Sequence, residues 1–178
     1  MTVPLQQIVK CSEDLSALEA RVVGSAQRTA EALARILAES KPLDALARVR
    51  FEQFGFHPIQ DRALNFIEQL NQTFTFIASL RAAAWIFAHH PEVGALRLNL
   101  GTAGGSDLES LDGTLAAEAF AAVTPNSNDK LRKDVAKVGS TNARLKYVFY
   151  SSPAVEPRAP VPAPQNHSVQ IVSLGWMG

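Results

Sequence analysis

The chain has one cysteine, Cys11, among its 178 residues. That excludes an internal disulfide and a cysteine-rich metal site, and it suits a reducing compartment, so a cytoplasmic location is the expectation. There is no excess of either charge, with Lys and Arg at 17 and Asp and Glu at 17. No global field points to a nucleic acid or a membrane, and any electrostatic footprint has to be local. Long apolar runs are missing as well. The N-terminus, MTVPLQQIVKCSEDLS, carries a proline and charges where an export signal needs an unbroken apolar core. The most apolar longer segment, Phe74 to Ala88, contains Thr75, Ser79 and Arg81 and is shorter than the roughly 20 residues of a bilayer span, so no membrane partner is expected. There is no internal repeat, and no glycine-rich loop with its lysine to cradle a phosphate.

What is present suits one buried core. Helical spacing runs from Val3 to about Ser40, through Leu15, Leu18 and Val22 and then Ala30, Leu33 and Leu37. Gly24-Ser25 predicts a break, with Ser25 capping a second helix, and Lys41-Pro42 ends it. FEQFGFHPIQDR reads as an ordered connector, because three phenylalanines are costly to leave in water. The longest helical pattern follows and stops at Pro91. It carries a polar ridge of Asn65, Glu68, Gln72, Thr75 and Ser79 that is expected to face a site, a partner or another subunit.

After Gly94 the period changes to two. ALRLNLG, SDLESL and TLAAEAFAAV predict three strands, with TAGGS and LDG as turns between them. A helix is predicted from about Asp129 to Val138, stopped by Gly139, and LKYVFYSS is a fourth strand. Pro153 to Gln165 holds five prolines and reads as an extended arm, and VQIVSLGWM as a last strand that pairs at an edge or in trans. The organisation expected is an N-terminal helical region, 1–57, packed on an α/β core, 58–152, with a proline-rich arm and C-terminal strand, 153–178. The N-terminal stripes either complete the core or form a homodimer interface.

One residue is out of place in this pattern. Glu118 lies in the middle of an apolar strand, where an ionised carboxylate without a partner costs several kcal/mol or more. Thr114, Ala116, Glu118, Phe120 and Ala122 share one face of that strand, and Asp107 lies near the start of the neighbouring arm. Two converging carboxylates repel unless a divalent cation lies between them, which points to Mg²⁺ or Mn²⁺. The alternatives are a salt bridge from Glu118 to Arg97 or Lys146 and a turn role for Asp107.

The order helix, strand, strand with Asp107, strand with Glu118, basic helix, strand resembles the PD-(D/E)XK, or restriction-endonuclease-like, nuclease superfamily over residues 61–150. The resemblance implies an α/β (α+β) fold with a core of helix, three strands, helix and strand, here with an N-terminal helical extension. It implies metal ligation by Asp107, Glu118 and Glu68 and hydrolysis of DNA phosphodiester bonds, as part of a restriction or defence system. The chain departs from the signature at Ser106, where the pattern has proline, and at Phe120, where it has lysine. Some members supply that lysine from the following helix, which makes Lys130 and Lys133 the candidates. Lys130, Arg132, Lys133 and Lys137 form the local basic patch for phosphate contact. The alternative implied by Phe120 is a catalytically inactive relative that binds nucleic acid or protein.

His89-His90 is read as a helix C-cap rather than a metal site, because adjacent helical residues point about 100 degrees apart. His57 and Trp85 are read as packing residues.

Overall fold

The computed structural model describes residues 5–101 and 104–176, so part of the expected TAGGS turn and the outermost residues of both ends lie outside it. The chain opens with a short strand, β1 (Gln6–Val9), where helix was predicted. A single helix, α1 (Ser12–Glu39), then runs without interruption. Its buried residues Leu15, Leu18, Val22, Ser25, Thr29, Ala32 and Ile36 alternate spacings of three and four, which is one continuous seam. The predicted break at Gly24-Ser25 is therefore overturned. Ser25 does not cap; it is buried and its hydroxyl donates to the carbonyl of Phe56, while Thr29 Oγ1 accepts the Phe56 N–H.

Helix α2 (Pro42–Phe51) has proline in its first turn, where the missing N–H costs nothing. The phenylalanine-rich connector is a small hairpin of β2 (Gly55–Phe56) and β3 (Ala63–Leu64). Helix α3 (Phe66–His89) starts at Asn65, whose side chain accepts the Glu68 N–H. It ends at His90, and Pro91 begins a separate 3-10 turn.

Then come β4 (Leu96–Asn99), β5 (Leu108–Ser110), β6 (Leu115–Ala121), helix α4 (Lys130–Gly139) and β7 (Leu145–Ser151). The proline-rich segment is not a free arm. It contains β8 (Arg158–Ala163), the outermost strand of the sheet, where prolines need not donate to a ladder on the open side. The final strand, β9 (Asn166–Ser173), is interior rather than at an edge or in trans.

Among the described residues the sheet has seven strands in the order β1-β4-β5-β6-β7-β9-β8. Its first four strands pair antiparallel; β6 with β7 and β7 with β9 are parallel, and β9 with β8 is antiparallel. The fold is thus mixed α and β, as the pattern of periods required. Alternation along β6 divides the core. Leu115, Ala117 and Ala119 point to the larger face, packed with Leu15, Leu18 and Val22 of α1 and with Phe76, Leu80 and Ile86 of α3. Phe120 points to the other face, with Val135 and Val138 of α4 and Val148 and Tyr150 of β7. The seam of α1 therefore lies in the same core as the sheet. No helix among the described residues is long and apolar enough to cross a membrane.

Candidate functional site

The ladder between β5 and β6 ends at Leu108 opposite Ala117. One residue further the two carboxylates take its place. The N–H of Asp107 donates to Glu118 Oε1 at 3.3 Å, and the N–H of Ala119 donates to Asp107 Oδ2 at 3.0 Å. Each acid thus accepts a backbone donor from the opposite chain segment. The sequence placed the two acids on neighbouring arms, and the structure brings them together.

Glu118 is 1% exposed. Its partner is neither Arg97 nor Lys146: Arg97 pairs with Glu109, and Lys146 Nζ donates to the carbonyl of Gly139. The cation is Lys137, whose Nζ lies 2.8 Å from Oε1 and 2.9 Å from Oε2. Burial and the nearby Asp107 charge push the Glu118 carboxyl up to about 7, against the pull of Lys137. Burial lowers the Lys137 ammonium, but the hydrogen bond and charge of Glu118 outweigh it and the net shift is upward.

Helix α4 packs chiefly on β7 and β9 and carries a row of charges along the side that meets β6. Lys130 Nζ donates to Asp134 Oδ1 at 2.7 Å and lies 5.8 Å from the centre of the Phe120 ring. Asp134 is 3% exposed, its Oδ2 has no partner among the described residues, and burial raises its carboxyl despite Lys130. The other predicted basic residues have local partners. Arg132 pairs with Asp129 at 2.6 Å and Lys133 Nζ donates to the Asn128 carbonyl. Phe120, in the signature-lysine position, stacks on Tyr150.

Glu68 sits exposed in the first turn of α3 and does not line the cleft beside Asp107. Residues further along the predicted ridge do. Gln72, Thr75 and Ser79, with Asn71, form one wall of a cleft of about 350 Å³ to which Asp107 also contributes. Among the described residues no group of three or more His, Cys, Asp or Glu side chains is gathered to hold a metal ion. Two neighbouring carboxylates are nonetheless the donor type a hard divalent ion takes, and burial together with the Asp107 charge disfavours the ionised form of Glu118 while no cation beyond Lys137 pairs with it among the described residues.

His90 is the C-cap residue of α3, as expected, and its ring reaches across to β7. His89 Nδ1 bonds the Trp85 carbonyl and His90 Nε2 bonds Tyr147 Oη at 2.7 Å. His57 is 2% exposed, and its Nδ1 accepts the N–H groups of Ile59 and Gln60. Sequence reasoning placed it in the packing but not at the edge of the cleft. Comparison with family models, with curated proteins and with solved structures gives no match.

Proposed function

We propose that the protein is a metal-dependent phosphodiesterase acting on nucleic acid, DNA in the first instance, built on a restriction-endonuclease-like core. The element order supports the core: α3, the antiparallel strands β4, β5 and β6, then α4 and a parallel β7. The observation that carries the reading is Lys137 Nζ against both oxygens of a buried Glu118, beside Asp107. In this reading Lys137 supplies from α4 the positive charge that the signature places at position 120.

Asp107 and Glu118 would hold Mg²⁺ or Mn²⁺, which when bound supplies Lewis-acid stabilisation of phosphate charge and a more acidic water. The residues do the rest. Lys137, 47% exposed in its side chain, reaches from Glu118 toward solvent and offers an ammonium to negative charge developing on a phosphate oxygen. Arg62, at the edge of the cleft, and Lys130 would contact flanking phosphates.

The test is calorimetric titration of Mn²⁺ into the wild type and Asp107→Ala, alongside Mn²⁺-dependent cleavage of plasmid DNA by the wild type and Lys137→Met. Binding lost in Asp107→Ala and cleavage lost in Lys137→Met are the expected results. A second reading, a catalytically inactive binding module, draws on a specific observation: both Glu118 oxygens and Asp107 Oδ2 already accept protein donors. Failure to bind Mn²⁺ with or without DNA, and absence of cleavage, would favour it.

A further inference from the structure

The cleft beside Asp107 has a lining that the hydrolytic reading does not use. Its wall from α3 is neutral and rich in hydrogen-bonding groups, with Asn71, Gln72 and Ser79. The amide oxygen of Gln72 is buried without a partner among the described residues. His57 closes another side. Because its Nδ1 accepts two backbone N–H groups, the neutral ring carries its proton on Nε2, which makes no hydrogen bond among the described residues. Burial, with the charge of Arg62, lowers this imidazole to about 4, so it is neutral at pH 7. Gln72, with its orphaned amide oxygen, and His57, with its uncommitted donor, thus line one cleft, and among the described residues Arg62 is its cationic side chain and Asp107 its anionic one.

The uncharged wall from α3 suits an uncharged group with donors and acceptors along its edge. At about 350 Å³ the cleft has room for a drug-sized unit and none for a duplex roughly 20 Å across. Asn71 and Thr75 also line a second, more apolar cleft, where Phe74 and Trp176 stack with ring centres 5.9 Å apart. Trp176 is 47% exposed and Phe74 38%. Exposed aromatic faces next to a hydrogen-bonding pocket are the parts with which single strands are held: stacking for one base, edge contacts for another.

We infer that the cleft between α3 and β4 is a subsite for one unpaired nucleobase of a single-stranded nucleic acid, with the next base stacked on the Phe74–Trp176 pair. The inference rests on the proposed function and names the substrate class of that site. An unpaired base enters with its edge toward Gln72 and His57, and its own phosphate lies near Arg62. A base-paired one has its edge already engaged and pays for unstacking before it enters.

The experiment is fluorescence anisotropy of a labelled single-stranded dodecathymidylate and of a labelled twelve-base-pair duplex, in EDTA so that no metal is needed. Wild type, Gln72→Leu and Trp176→Ala are compared, with Mn²⁺-dependent cleavage measured separately. Single strand is expected to bind tighter than duplex, and each substitution to weaken it about tenfold. Gln72→Leu removes no internal hydrogen bond of the amide oxygen and relieves a buried orphan, so its Tm should hold or rise while affinity falls. A purely structural glutamine does not give that opposed pair of changes. Equal binding of duplex, or full affinity in Gln72→Leu, overturns the subsite even if the wild type cleaves DNA. Gln72-sensitive binding without any cleavage supports the subsite and removes the hydrolytic reading instead.

Discussion

Glu118 is held between opposing influences that can be separated one residue at a time. Burial and Asp107 raise its carboxyl, while Lys137 lowers it by hydrogen bond and charge. Lys137→Met should therefore move the Glu118 midpoint above about 7, and Asp107→Asn should move it down. Carbon-detected NMR titration of the Glu118 carboxyl reads both; shifts of the same sign would contradict the account. The stability cost of Lys137→Met should be small, about 1 kcal/mol, because the ammonium is half exposed and the carboxyl can take up a proton instead of remaining an unpaired charge. A cleavage defect in that variant then reports on chemistry, and a Tm shift of many degrees would say that Lys137 is chiefly structural. The acid pair itself was legible, since an acidic residue inside an apolar strand demands a partner. The identity of its cation was not: the expected partners were Arg97 and Lys146 on neighbouring strands, and residue type alone does not rank the four basic residues of the helix above.

Element geometry supplies that ranking. The chain leaves β6 at its far end and enters a parallel β7, so α4 has to run backward beside β6. Its first turn then lies above Phe120 and its last turn above Glu118, which is where Lys130 and Lys137 are found. Reading the parallel crossover from the sequence would have pointed to Lys137; reading only the distance from the end of β6 pointed to Lys130 and Lys133. The strand periods from Leu96 to Ser151 were legible for the same reason that β6 is divided between two cores: alternation marks two faces. Helix α1 was misread as two because its seam turns polar at Ser25 and Thr29, whose hydroxyls satisfy the backbone of Phe56. β8 was misread because Pro160 and Pro162 look like linker until an edge position is known. Gly24 sits within the unbroken helix, and a Cβ added there meets nothing within 4 Å. Gly24→Ala should raise unfolding free energy by about 1 kcal/mol, measured by urea denaturation. Destabilisation would mean that the helix needs its glycine.

Across the whole molecule, two buried groups make stability depend on pH in opposite senses. The Glu118 carboxyl goes from 4.5 up to about 7 on folding, so the folded state binds the extra proton between those values and stability falls as pH rises through that window. Asp134, also raised, acts in the same sense. The His57 ring goes from 6.5 down to about 4, so the unfolded state binds the extra proton between those values and stability falls as pH drops from 6.5 toward 4. Each contributes a slope of about 1.4 kcal/mol per pH unit where its two forms differ fully, and between 5 and 6.5 the slopes oppose. The wild type should therefore lose less stability as pH falls through that range than a variant in which His57 titrates alone. Glu118→Gln with Asp134→Asn removes the carboxyl side and leaves His57 alone, so the double variant should lose about 2 kcal/mol between pH 6.5 and 5. Urea unfolding at those two pH values checks it. A flat profile in the double variant would mean that His57 titrates near its ordinary value in the folded protein, and the neutral ring with its Nε2 donor at the edge of the cleft would lose its basis at pH 6.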